Sequence, residues 1–228
     1  MHKTIDIIKI IIYNITKVKN IYVRGYSNVS KLKLYLDCDD TITNSSETVV
    51  KIICKRYGIN KTIKDLKDFE YRSIYKNITT EEVIDIYESD EFWESVDLKD
   101  DFKSVKDQLK ELFDINIVTC GTEVNFKKKK CFIDKHLDVP MIGISIHKEK
   151  RFDKSEVDML GGIQIDDNHK CLQTNASIKV LLKDFRINSL HKEFVEAGEE
   201  NMYVVRDWFE LLELLKFFST HKEFIEDV

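Results

Sequence analysis

The sequence predicts an α/β protein: a parallel sheet with helices on both faces and a helical segment inserted after the first strand. Three observations carry this. Short apolar runs alternate with amphipathic stretches through the second half of the chain, the pattern of strand–helix–strand crossovers. A purely helical stretch, residues 45–99, breaks the alternation once. Several apolar runs end in acids or hydroxyls, where an open parallel sheet holds its ligand.

The elements follow in order. Leu32 to Leu36 alternates with a period of two and reads as a strand. A helix starts at Ser45 or Ser46, carries Val50, Ile53, Cys54 and Tyr57 on one face, and stops at Gly58. Thr79-x-x-Glu82 is a capping box for a helix running towards Tyr87. Phe102, Val105, Leu109 and Leu112 mark another amphipathic helix. Ile115 to Val118 is a strand, Glu123 to Leu137 a helix and Met141 to Ile146 a strand. Ile163 to Ile165, Ile178 to Leu182 and Tyr203 to Val205 are three more strands, before a helix from about Trp208 to Phe218.

Composition narrows the function. The 228 residues allow one good core plus a sizeable insertion. A hydrophobic share of 43% excludes a disordered chain. The net charge of −5 argues against extended nucleic-acid binding, although a divalent cation lets an acidic protein bind phosphorylated molecules. The cysteines at 38, 54, 120, 131 and 171 form no CxxC pair, which argues against zinc and a disulfide framework. Their odd number, without a secretory signal, leads to the expectation of a reducing, cytoplasmic setting. Lys9 interrupts the apolar run Ile7 to Ile12, which is too short to span a membrane. Residues 1–30 read as an N-terminal extension of unknown role, and no membrane partner is expected.

The strand ends hold the chemistry. Asp37, Asp39 and Thr41 follow the first strand, with Asp40 among them. Thr119 and Cys120 end the second, where Gly121 allows a tight turn. Asp166 and Asp167 end the fourth, with Lys154 upstream. Two carboxylate clusters on one sheet can converge on a hard, oxygen-seeking ion such as Mg²⁺. The Lys127–Lys130 run reads as a solvated helix face. Cys38 and Cys120 read as small spacers, not thiol nucleophiles.

A strand ending in DxDxT, a second ending in Thr, a later Lys, and a strand ending in Asp-Asp appear here in that order. This resembles the motif set of the haloacid dehalogenase-like phosphatases. Within them the chain most resembles the 5'(3')-deoxyribonucleotidase group. The narrower likeness lies in Asp37-Cys38-Asp39-Asp40-Thr41-Ile42-Thr43 and in Lys154-Ser155 ahead of Ile163-Gln164-Ile165-Asp166-Asp167. It continues in Ile178 to Leu182 followed by Arg186 and Asn188, and in Val205-Arg206-Asp207-Trp208. The similarity covers roughly residues 32–218 and is loose in the helical insertion.

The resemblance implies a Rossmann-like three-layer α/β/α core of residues 31–44 and 100–228, with residues 45–99 as a helical cap. It implies a Mg²⁺-dependent phosphatase acting on (deoxy)nucleoside monophosphates. Asp37 would be the nucleophile, forming an aspartyl-phosphate. Asp39 would be the general acid and base, offering its backbone carbonyl to the metal. Thr119, Cys120 and Lys154 would hold the phosphate. Asp37, Asp39 and the Asp166/Asp167 pair would hold the ion, with the choice between the last two open. Asp40 has no assigned role. Phe92 and Trp93 are the candidates to stack a base in the cap, beside the plainer reading of cap core. Two further readings stand: another phosphomonoester, nucleic-acid 3'-phosphate ends included, or a non-catalytic phosphate-binding module.

Overall fold

The computed structural model describes residues 31–67, 69–146, 153–182 and 201–226. The expectations for residues 1–30 and for Arg186 and Asn188 fall outside the described residues. Among those described, six parallel strands form one sheet in the order β3-β2-β1-β4-β5-β6. They are β1 Leu32–Leu36, β2 Phe113–Gly121, β3 Met141–Ser145, β4 Gly162–Asp166, β5 Ile178–Leu182 and β6 Met202–Val205. Flanking helices complete the Rossmann-like α/β fold that the alternation predicts.

The strand order explains where a site can form. β1 pairs with β2 on one side, Leu36 facing Ile117, and with β4 on the other, Leu36 facing Ile165. The chain builds outward from β1 to β2 and β3, then returns to β1 and builds the other way. Ligands of such sheets bind at the carboxyl ends of the strands where this reversal occurs.

Burial follows from that central place. Leu34 and Leu36 are fully buried in the main core, which also takes Ile117, Ile165 and Val180. Tyr35 points to the other face, where it meets Val118, Met159 and Ala176. Each large side chain buried this way contributes about 1.5–3 kcal/mol. β2 is longer than its apolar run. Its first residues pair with Leu32 and Lys33, and its last, Thr119 to Gly121, pair with β3. Ladder partners, not hydrophobicity, decide those ends.

Between β1 and β2 lie α1 Ser45–Tyr57, α2 Thr80–Glu88, α3 Asp90–Ser95 and α4 Asp100–Leu112. Gly58 ends α1 in the left-handed conformation at φ 63, which glycine adopts without steric cost. The Thr79 capping box forms: Glu82 N donates to Thr79 Oγ1 at 3.1 Å, and Thr79 N donates to Glu82 Oε2 at 2.8 Å. α4 buries Phe102, Val105 and Leu109 as its period requires. α1 buries Val50 and Ile53 of the expected face, but its buried side is wider and shifted towards Val49 and Ile52, with Cys54 only partly covered. Tyr57 lies at the surface because it stacks on Tyr75, ring centroids 4.1 Å apart, and donates to Glu82.

The chain leaves and re-enters the sheet layer through one antiparallel clasp. Asn44 N donates to the Asp97 carbonyl at 3.0 Å and Lys99 N to the Ile42 carbonyl at 2.9 Å, around a Thr43–Leu98 bridge. Beyond β2 come α5 Glu123–His136, α6 Trp208–Thr220 and α7 Glu223–Glu226. No helix among the described residues is long and apolar enough to cross a membrane.

Candidate active site

Asp37 is the first residue past β1. Its N–H donates to the Ile165 carbonyl at 3.0 Å, so the β1–β4 ladder runs up to the acid itself. The following loop is closed on the Cys38 carbonyl, which accepts from Ile42 N, Thr43 N and Thr43 Oγ1 at 3.1, 3.2 and 3.0 Å. Trp208, fully buried at the start of α6, donates its indole N–H to the Thr41 carbonyl at 3.0 Å. A remote helix thereby holds the loop.

Asp40 takes a structural position in that loop. Its φ of 56 is left-handed, a conformation glycine fills more cheaply than aspartate. In return its carboxylate accepts from Ser46 N at 2.8 Å and from the Ser46 hydroxyl. It satisfies an open N–H of the first turn of α1, where Asn44 makes no side-chain cap.

Three adjacent strands bring the expected residues together. Lys154, buried, donates to Asp37 Oδ1 at 2.5 Å and to Asp166 Oδ2 at 2.7 Å. Asn168 N fixes the other Asp166 oxygen at 2.9 Å. Thr41 Oγ1 donates to Asp167 Oδ1 at 3.2 Å and accepts from Asp167 N at 3.1 Å. Carboxylate oxygens of Asp37, Asp166 and Asp167 lie within 4.8 Å of one another.

Such crowding has an electrostatic signature. Burial, with Lys154 opposing it and Asp166 and Asp39 adding to it, pushes Asp37 up to about 7. Burial and the charge of Asp40 push Asp167 well above the usual carboxylate range. Burial works against the Lys154 ammonium, but Asp166 and Asp37 outweigh it and hold the pKa well above that of a free lysine. A hard divalent cation fits this oxygen set: the donors are carboxylates, close together and short of positive charge.

Asp39 points elsewhere. Its Oδ1 accepts from Ser45 Oγ at 2.8 Å and its Oδ2 from Lys129 Nζ at 2.6 Å. The same ammonium donates to Thr119 Oγ1 at 2.8 Å. Lys129 is fully buried, which corrects the reading of the Lys127–Lys130 run as a solvated face. One lysine of that run turns inward from α5 because Asp39 and Thr119 can satisfy it. Burial is the largest influence on its pKa and lowers it, but Asp39 and the neighbouring acids raise it above the ordinary value.

A cavity of about 220 Å³ opens over these groups, lined by Asp37, Asp39, Thr119, Cys120, Lys154, Asp166 and Asp167 among others. Cys120 brings no nucleophile, because burial raises its thiol to about 11. The Cys38 thiol is buried and likewise pushed well up by desolvation. Phe92 and Trp93 do not line the cavity. Phe92 is fully buried between Tyr87 and Trp93, with centroids 4.9 and 5.1 Å away. Trp93 packs on Phe132 and donates to the Tyr87 carbonyl at 2.8 Å.

The insertion instead presents Thr80, Val83, Ile84 and Tyr87 of α2 to the cavity, with Phe69 and Tyr71. Their helical spacing is visible in the sequence, but the same stripe would serve a core-facing helix equally well.

No protein-family model matches the chain, and no curated protein does. Solved structures do. A proposed phosphatase from Clostridium difficile superposes with a TM-score of 0.54 at 15% identity, covering 82% of this chain and all of that one. A haloacid dehalogenase-like family hydrolase from Streptococcus pneumoniae gives 0.52 at 14% identity, over 82% and 98% of the two chains. A proposed haloacid dehalogenase-like hydrolase from Burkholderia xenovorans gives 0.50 at 12% identity, over 81% and 96%. The chain therefore has the fold of haloacid dehalogenase-like hydrolases.

Proposed function

We propose that the protein is a Mg²⁺-dependent phosphatase that hydrolyses (deoxy)nucleoside monophosphates through an aspartyl-phosphate on Asp37. One observation carries this reading. At three adjacent strand ends the carboxylates of Asp37, Asp166 and Asp167 cluster beside two buried ammonium groups, Lys154 on Asp37 and Asp166 and Lys129 on Asp39 and Thr119. Phosphoryl transfer needs this balance: an anionic nucleophile has to approach an anionic phosphate.

In the proposed reaction Asp37 attacks phosphorus in line and the bond to the leaving oxygen breaks. Asp39, oriented by Ser45 and Lys129, gives that oxygen its proton. Water then attacks the aspartyl-phosphate, Asp39 takes a proton from it, and the Asp37 carboxylate is released with inorganic phosphate. Lys154, Thr119 and the strand end at Cys120 orient the phosphate oxygens. Mg²⁺ on Asp37, Asp166 and Asp167, with the Asp39 carbonyl, would supply charge neutralisation of nucleophile and phosphate. Residues 45–99 would act as a cap, excluding water and shaping the choice of leaving group.

A panel of nucleoside monophosphates, p-nitrophenyl phosphate and a 3'-phosphorylated oligonucleotide, run with Mg²⁺ and with EDTA, tests the reading. Metal-dependent phosphate release from the mononucleotides supports it. Release from p-nitrophenyl phosphate alone removes the nucleotide claim and keeps the phosphatase. Release from none removes both.

A further inference from the structure

The part of the cavity built by the insertion has a hydrogen-bond polarity that the contacts determine. The Ser46 hydroxyl donates to Asp40 Oδ2, so the single proton of Ser46 is used there. Ser46 Oγ and Tyr71 Oη are 2.8 Å apart, so Tyr71 donates to Ser46. Tyr71 Oη and Tyr87 Oη are 2.9 Å apart, so Tyr87 donates to Tyr71. With its one proton used inside the chain, Tyr87 has only acceptor capacity left. Burial holds its phenol well above the ordinary value, which keeps that acceptor neutral.

Glu88, the next residue, also lines the cavity. It accepts the Thr122 hydroxyl proton and retains further lone pairs. Phe69, Val83 and Ile84 give this part of the lining its apolar surface, and Glu70 adds a second carboxylate to it. Among the described residues lining the cavity, Lys154 is the one cation, and Asp37 and Asp166 already engage it.

We infer that this wall is a subsite for a leaving group with an apolar or aromatic body, at least one hydrogen-bond donor and no anionic group of its own. The inference rests on the phosphatase reading above but not on the nucleotide. A carboxylate on the leaving group would meet Glu88 in a site where its charge is poorly screened, whereas an amine or amide N–H would find two acceptors.

Two esters of similar shape test this: 4-(aminomethyl)phenyl phosphate and 4-carboxyphenyl phosphate, with p-nitrophenyl phosphate as reference. The wall predicts kcat/KM favouring the amine by about tenfold or more, and Glu88→Gln reducing that ratio by about tenfold, since a unit charge is lost from the site. Tyr87→Phe, which removes an acceptor without changing charge, reduces the ratio less. A ratio near one in the native enzyme, or one untouched by Glu88→Gln, overturns the inference. If even p-nitrophenyl phosphate is not hydrolysed, the phosphatase reading falls. The wall is then judged by calorimetric Kd values for the two esters on the native chain, where equal affinities overturn it.

Discussion

Lys129 Nζ lies 2.6 Å from Asp39 Oδ2, in a position where the ammonium has no exposure to water. An ion pair so placed is costly to break from one side, because the remaining charge loses its partner. Lys129→Met should therefore lower kcat by about a hundredfold, on the order of 2.7 kcal/mol. Asp39 would lose its orientation and Thr119 a donor. Lys129→Arg should recover part of the rate. Steady-state kinetics on p-nitrophenyl phosphate check this, and a Met variant with native kcat would make Lys129 merely structural.

Trp208 reaches the same loop from the far end of the chain. Trp208→Phe should retain the packing on Phe102, whose ring centroid is 4.7 Å away, while leaving the Thr41 carbonyl without its donor. Loss of about 1–3 kcal/mol is expected from an unsatisfied buried acceptor. Denaturant unfolding measures that loss, and kcat should fall with it because Thr41 also holds Asp167.

At Asp40, two substitutions separate cap from backbone. Asp40→Ala loses the bond from Ser46 N and keeps the left-handed strain; Asp40→Gly loses the bond and relieves the strain. The glycine variant should be the more stable by about 1 kcal/mol. Chemical denaturation of the two side by side decides it, and equal stabilities would show that φ 56 carries no cost here.

The sheet was largely legible in the sequence, and so was the acidic loop after its first strand. Central parallel strands are buried on both faces, so Leu34 to Leu36 and Ile163 to Ile165 read as apolar runs whose polar ends are conspicuous. Lys129 was not legible. Four consecutive lysines look alike, and only the three-dimensional position of Asp39 selects which one turns inward. The cavity wall was misplaced onto Phe92 and Trp93 for a related reason. Aromatic type does not say whether a ring faces a ligand or the core, and Phe92 has Tyr87 and Trp93 around it.

Metal affinity should depend on pH with a definite sign. With Asp37 raised to about 7, the metal-free folded protein holds a proton that the unfolded chain has already lost. That part of the stability is full below the unfolded carboxylate value and is lost as pH rises through about 7. Mg²⁺ bound at Asp37 and Asp167 would have to displace that proton and the one that the raised Asp167 carboxyl holds, so its apparent Kd should tighten as pH rises from about 5.5 through about 7. Calorimetric titrations across that range, in buffers of different ionisation enthalpy, should show proton release on the acid side. A pH-independent Kd would separate Asp37 from the metal.

The proposed nucleophile can be tested directly. Native protein mixed with Mg²⁺ and p-nitrophenyl phosphate, quenched rapidly in acid and digested, should yield a peptide carrying one phosphoryl group on Asp37 by mass spectrometry. Asp37→Asn should carry none and turn over no substrate. Phosphoryl transfer to another residue, or undiminished phosphate release by Asp37→Asn, would contradict Asp37 as the nucleophile.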